Sequence, residues 1–187
     1  MTGHSAQKTE ELLITYARHL HTMATSEPVW MKAARAESAN RFAAMGIPSP
    51  RLEAWKYTNL RELIEGAFVP VDSTPVASDV VAQIVSEFGL PKQEGRPSPV
   101  EVVIHNGQVA EIAGADVSGV KVVSLAHMLE EQPERLQEWL FALAKPTENG
   151  NETLVSLNNT LFTDGVFVEF LPNAVVEQPV HLVFCGA

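Results

Sequence analysis

The strongest local constraint in this chain is the run Val100–His105, Asn106-Gly107, Gln108–Ile112. Two segments rich in β-branched residues flank a two-residue turn. Asn-Gly accepts the positive φ angles of a type I′ turn, whose twist matches that of paired strands. An antiparallel hairpin is predicted here, and it commits the middle of the chain to sheet. Gly119–Ser124 adds a further strand, and Ser124 is placed to cap a helix running through Glu131.

Helical signals surround the hairpin. Leu13, Tyr16, Leu20 and Met23 recur at three- and four-residue spacing. Ser26-Glu27-Pro28 reads as a helix start, with proline where its missing N–H costs nothing. The alanine-rich run Val29–Met45 follows and stops at Gly46 and Pro48. Leu60, Leu63 and Ile64 suggest a short helical turn ending at Gly66. Val81, Ile84, Val85 and Phe88 form another apolar stripe, with Ser78 as its cap and Gly89 and Pro91 as its stop. Residues 91–99 hold three prolines and read as a loop. Pro133 starts one more helix, with Leu136, Trp139, Leu140 and Leu143 on one face, ending at Lys145-Pro146.

From Thr153 the pattern becomes strand-like. The runs are Leu154–Leu157, Val166–Phe170, Val175–Val176 and Val180–Phe184, divided by Asn158-Asn159, Asp164-Gly165, Pro172-Asn173 and Gln178-Pro179. Such spacing fits a sandwich, a barrel or a β-solenoid, and the residues alone leave the three open. The run from Pro179 to Ala187 is apolar and has no closing polar tail. It is expected to leave an open strand edge that promotes self-association, and to be the front part of something longer.

Charge divides the chain as well. Its 187 residues carry a net charge of −10. Eight basic residues face seven acidic ones through Glu65, and five face sixteen beyond it. This balance argues against nucleic acid and anionic membrane as partners, which call for basic patches. The division expected is a helical region over 1–66, a mixed segment over 67–150 and a β-rich segment over 151–187. No run reaches the ~18 apolar residues of a membrane span. The polar N-terminus, MTGHSAQKTE, reads as no secretory signal, so a cytoplasmic location is expected.

Chemistry-bearing motifs are sparse. Phosphate-loop, dinucleotide, zinc-protease and nucleophile-elbow patterns are missing. One cysteine cannot build a multi-cysteine metal site. His181 and Cys185 stand four apart on a predicted strand and share a face. They would make at most half of a soft-metal site, and a small buried thiol beside an ordinary histidine explains them more simply. His19 and His21 point apart on a helix. His105 precedes the hairpin turn, and His127 falls in a first helical turn, where a positive charge is disfavoured.

The most distinctive segment is Arg51-Leu-Glu-Ala-Trp-Lys-Tyr-Thr-Asn-Leu60. Read as a surface, Arg51 or Lys56 could hold an anion while Trp55 and Tyr57 supply flat contact area. Read as a clasp, Trp55 and Tyr57 plug the helical region while Glu53 pairs with a neighbouring base. The polar cluster Arg51, Glu53, Lys56 and Tyr57 also leaves a small-molecule or enzymatic site open, as well as a plain protein-interaction module.

This segment resembles the R-x-E-x-W-K-Y-T-x-L signature near the front of SufD proteins, in the SufB/SufD family. Its approach is similar to the family too, through Trp30, Arg35, Arg41-Phe42 and Gly46-Ile-Pro48. So are Val103–Gly107, Val123–Leu125, Leu157-Asn158, Asp164–Val168 and Glu177–Leu182. The resemblance runs from about residue 28 to the end. It implies an α+β fold, in which a mixed helical domain leads into the first coils of a right-handed parallel β-helix, truncated here. It implies a non-enzymatic scaffold subunit of the SufBCD complex for iron–sulfur cluster assembly, with SufB and SufC as partners. The family's SufC-docking helices and proposed ligands fall beyond Ala187. No catalytic, cofactor or metal residue is therefore carried over, and no cofactor is expected in this portion. Arg51, Glu53, Trp55, Lys56 and Tyr57 remain as a structural or interaction motif.

Overall fold

A computed structural model describes residues 27–60, 75–91, 94–144 and 153–186, with single positions at 7, 10, 11, 14, 62, 65 and 66. The helix expected over Leu13–Met23 lies outside the described residues, as do Leu63 and Ile64; Glu62 and Glu65 are helical. The chain divides into two units. The first joins residues 1–70 to 132–162, and the second joins 71–131 to 163–187. Both are interleaved in sequence, so the boundaries do not coincide with the consecutive segments suggested by composition.

In the first unit, helix α1 (Val29–Met45) ends where Gly46 takes φ 67° and donates its N–H to the Phe42 carbonyl. A short 3₁₀ turn follows at Glu53–Trp55. Returning later, the chain adds α4 (Pro133–Gln137) and α5 (Thr153–Leu161). Helices α1 and α5 pack against each other. The buried residues of α1 are Met31, Arg35, Ser38 and Phe42, while those of α5 are Thr153, Ser156, Asn159 and Thr160. Their three- and four-residue spacing places each set on one face.

Two expectations are corrected here. Leu154–Leu157 is helix, not strand, because Thr153, Ser156 and Thr160 bury a narrow small-residue face against α1. Its short Leu-Val-Ser-Leu run, bounded by Asn158-Asn159, reads as a strand from sequence. The helix expected through Leu143 stops after Gln137. Phe141 sits at φ 66°, which α-helix forbids, and Trp139 and Leu143 are exposed.

The second unit is a small α+β assembly. Helix α2 (Ser78–Phe88) precedes β1 (Val100–His105) and β2 (Gln108–Ala113). Its cap is Ala77, not Ser78, and no side chain caps it. Asn106 and Gly107 turn the hairpin at φ 49° and 80°, the two positive angles that type I′ demands. Strand β3 (Val120–Ser124) leads directly into α3 (Leu125–Glu131), where Ser124 Oγ accepts the His127 N–H at 3.1 Å. Strands β4 (Val166–Phe170) and β5 (Val180–Cys185) follow. Val175–Val176 lies outside regular strand.

Sheet order is β2-β1-β5 in one sheet and β3-β4 in the other. The hairpin is antiparallel and the β1–β5 pair is parallel, Val100 opposite Val180 and His105 opposite Cys185. Val100, Val102 and Ile104 of β1 form one core with Val120 and Val122 of β3. On the other face of β1, Val103 is buried, and α2, with its buried Val81, packs against this strand. Among the described residues the sheets form no closed barrel.

Candidate interaction site

Arg51–Tyr57 is shaped by a succession of tight turns. The N–H of Leu52 bonds to the Ser49 carbonyl, Trp55 to Leu52, Lys56 to Glu53 and Thr58 to Trp55, at 2.9–3.3 Å. Pro48 and Pro50 precede them and keep the backbone from continuing α1. The turn half-buries Trp55, whose indole Nε1 is buried without a hydrogen-bond partner. It sends the other four residues out: Arg51, Glu53, Lys56 and Tyr57 are exposed. Tyr57 is 90% exposed, so it plugs nothing. The Lys56 ammonium stands 5.4 Å from the centre of its ring, a cation–π contact that restrains both side chains. Of the two aromatic residues, Trp55 is drawn inward and Tyr57 is not.

Near α1 the same unit holds a buried polar junction. The Arg35 guanidinium pairs with Glu27 at 2.9 Å. It donates to the carbonyls of Thr160 at 2.9 Å and Phe162 at 2.8 Å, and lies 4.4 Å over the Phe162 ring. Those carbonyls belong to the end of α5, where intrahelical donors run out. One planar fork thus serves as cap, ion pair and stacking surface. Trp30, Phe141 and Phe162 continue the aromatic cluster.

In the second unit, Asp164 does comparable work. Its carboxylate accepts the N–H of Val109 and of Ala126, each at 2.9 Å. Gly165 O accepts the Leu125 N–H at 2.8 Å. The Asp-Gly pair therefore ties the start of β2 to the first turn of α3. In the sequence it signals only a turn, because both of its partners are distant.

Strand β5 does present His181 and Cys185 on one face, with buried Val183 between them. They do not act together. His181 Nδ1 stands 3.6 Å from Glu101 Oε1, which also accepts the Leu90 N–H at 2.8 Å. The Cys185 thiol donates to the Ile104 carbonyl at 3.4 Å. Among the described residues no three His, Cys, Asp or Glu side chains gather in a metal-ligating group. None of the helices is long and apolar enough to cross a membrane, among those residues. A cleft of about 370 Å³ in the second unit is lined by Leu90, Arg96, Glu177 and four prolines; the five motif residues are not among its lining.

Residues 6–182 match the family model described as the SufBD protein N-terminal region. The chain belongs to the SufBD family. It is also 29% identical over 152 residues to "Iron-sulfur cluster assembly SufBD family protein slr0076" of Synechocystis sp.. That alignment covers 80% of this chain and 31% of the relative, so the chain spans about a third of the relative's length. No solved structure matches. Trp30, Arg35 and Phe42, all within the resemblance read from sequence, make their contacts inside the first unit, and Asp164 makes its contacts inside the second.

Proposed function

We propose that this SufBD chain serves as a SufD-type scaffold in a cytoplasmic SufBCD complex that assembles iron–sulfur clusters. Its partners are a SufB-type subunit and a SufC-type ATPase. In this reading the chain turns over no substrate and carries no cofactor; the cluster is cargo held elsewhere in the complex. The match over residues 6–182 carries the reading, and the relative's printed name supports the cluster-assembly part. The form of the Arg51–Leu60 segment favours SufD over SufB.

The same proposal takes the parallel β1–β5 ladder as the seed of a right-handed parallel β-helix, each coil covering the edge of the last. It takes Arg51, Glu53, Trp55, Lys56 and Tyr57 as a contact surface. Exposed Tyr and Arg side chains on a fixed turn are the residue types that anchor interfaces.

Co-expression of the full gene product with SufB- and SufC-type subunits tests this. A co-eluting ternary complex is expected, weakened when Arg51→Glu and Lys56→Glu are combined. A gene product that elutes alone at micromolar concentration would overturn the scaffold reading. A complex indifferent to both substitutions would overturn the assignment of the surface.

A further inference from the structure

The parallel β1–β5 ladder begins at the pair Val100 and Val180. At its foot, where Pro99 and Pro179 lead into that pair, the second unit holds a cleft of about 370 Å³, a volume within the range of small-molecule sites. One wall is the connection from α2 to β1, through Leu90, Pro91, Arg96, Pro97 and Pro99. The other is Glu177 and Pro179, ahead of β5. No residue of β5 itself lines the cleft, so it is separate from the outer edge of that strand.

The walls are fixed before any ligand arrives. Rings hold φ at all four prolines. The Val100 N–H donates to the Pro179 carbonyl at 2.9 Å and joins one wall to the other. The Leu90 N–H donates to Glu101 Oε1 at 2.8 Å. A Cβ at Gly89 would stand 2.7 Å from that oxygen, so glycine there leaves the carboxylate its place. A site shaped in advance gives up less entropy on binding.

The polar groups of the cleft are few and of opposite sign. Proline has no N–H to donate, and that of Leu90 is spent on Glu101. The polar side chains are Arg96 on one wall and Glu177 on the other, both exposed. Among the described residues neither makes a hydrogen bond or an ion pair, with the other or with anything else. An exposed pair gains little by closing on itself, so both groups are available. We propose that the cleft binds a small zwitterion with an apolar body, an amino acid or a short peptide. The apolar body covers Leu90 and the proline rings. The carboxylate takes the planar fork of Arg96, and the ammonium meets Glu177. The net charge of −10 on the chain opposes an anionic ligand but not one whose charges cancel.

Amide resonances of the 187-residue chain, titrated with L-phenylalanine and with glycyl-phenylalanine, test the site. Saturable shifts centred on Leu90, Arg96 and Glu177 are expected, with a Kd of roughly 1 mM for the better compound; which of the two is better separates free amino acid from peptide. The amide form of that compound lacks the carboxylate and its N-acetyl form lacks the ammonium, and each should bind about fivefold more weakly. Glycine, without the apolar body, should not bind. Arg96→Gln should erase the preference over the amide form alone, and Glu177→Gln the preference over the N-acetyl form alone. Both side chains are exposed, so the variants should melt as the parent does. No saturable shift with either compound by ~20 mM would overturn the site. Saturable shifts centred on Arg51–Tyr57 instead would refute its location. Equal binding of the amide, N-acetyl and parent forms would refute the ligand class. All of these readouts are independent of SufB or SufC binding.

Discussion

Arg35→Met isolates the polar junction of the first unit. Methionine keeps most of the apolar stem against Phe162 but removes every donor. The Thr160 and Phe162 carbonyls lose partners at 2.9 and 2.8 Å, and Glu27 loses its counter-charge in a half-buried site. A buried acceptor left without a donor costs ~1–3 kcal/mol, and breaking a buried ion pair from one side ~3–5 kcal/mol. These terms overlap, and Glu27 keeps some access to water. A net loss of ~3 kcal/mol is expected. With a slope of ~2 kcal/mol/M, the urea midpoint of the first unit falls by about 1.5 M. Fluorescence reads it, because Trp30 packs edge-on against Phe141 in the same cluster. Arg35→Lys retains the charge but not the fork, so it should lose ~1–2 kcal/mol. Combining Arg35→Met with Glu27→Gln should recover part of the loss, since no charge is then left stranded. A loss below ~1 kcal/mol for Arg35→Met, or strict additivity in the double variant, would refute the clamp.

Asp164→Ala strands two amide donors and should cost ~2–3 kcal/mol; exchange of the Val109 and Ala126 amides, accelerated ahead of their neighbours, checks it. Gly107 and Gly119 sit at φ 80° and 86°. An added Cβ meets nothing within 4 Å at Gly107, but lies 2.6 Å from the Ala174 Cβ at Gly119. Gly107→Ala should therefore cost ~1 kcal/mol and Gly119→Ala at least ~2 kcal/mol in denaturant melts. Arg51→Glu with Lys56→Glu touches only exposed side chains, so stability should stay within ~0.5 kcal/mol. A larger fall in melting would restore the clasp reading for this segment.

What sequence disclosed followed from local physics. Val29–Met45, the Asn106-Gly107 turn and the Ser124 cap each rest on residues within a few positions of one another, and each forms as expected. Helix α5 was hidden because its buried face is threonine, serine and asparagine, so the short apolar run Leu154–Leu157, followed by Asn158-Asn159, read as a strand and a turn. The β1–β5 ladder was hidden because pairing across eighty residues leaves no local trace. The Asp164 carboxylate was hidden for the same reason. At Glu53–Tyr57 the residue types were legible as distinctive, but whether they point in or out depends on the turns that carry them.

That last distinction gives the candidate site its weight. The residues that carry the resemblance fall into two physical groups. Phe42 and Arg35 are buried, Trp30 and Asp164 are half-buried, and their identities are explained by the contacts they make inside their own units. Arg51, Lys56 and Tyr57 are exposed, and removing any of them would leave no cavity. A lone exposed aromatic needs no explanation. Here an exposed tyrosine is braced by a neighbouring lysine on a hydrogen-bonded turn whose half-buried tryptophan anchors it. Internal packing accounts for Trp55 but not for the three side chains it holds outward. A surface whose backbone is fixed by hydrogen-bonded turns gives up less entropy on binding, which is the physical ground on which partner contact at this turn is proposed.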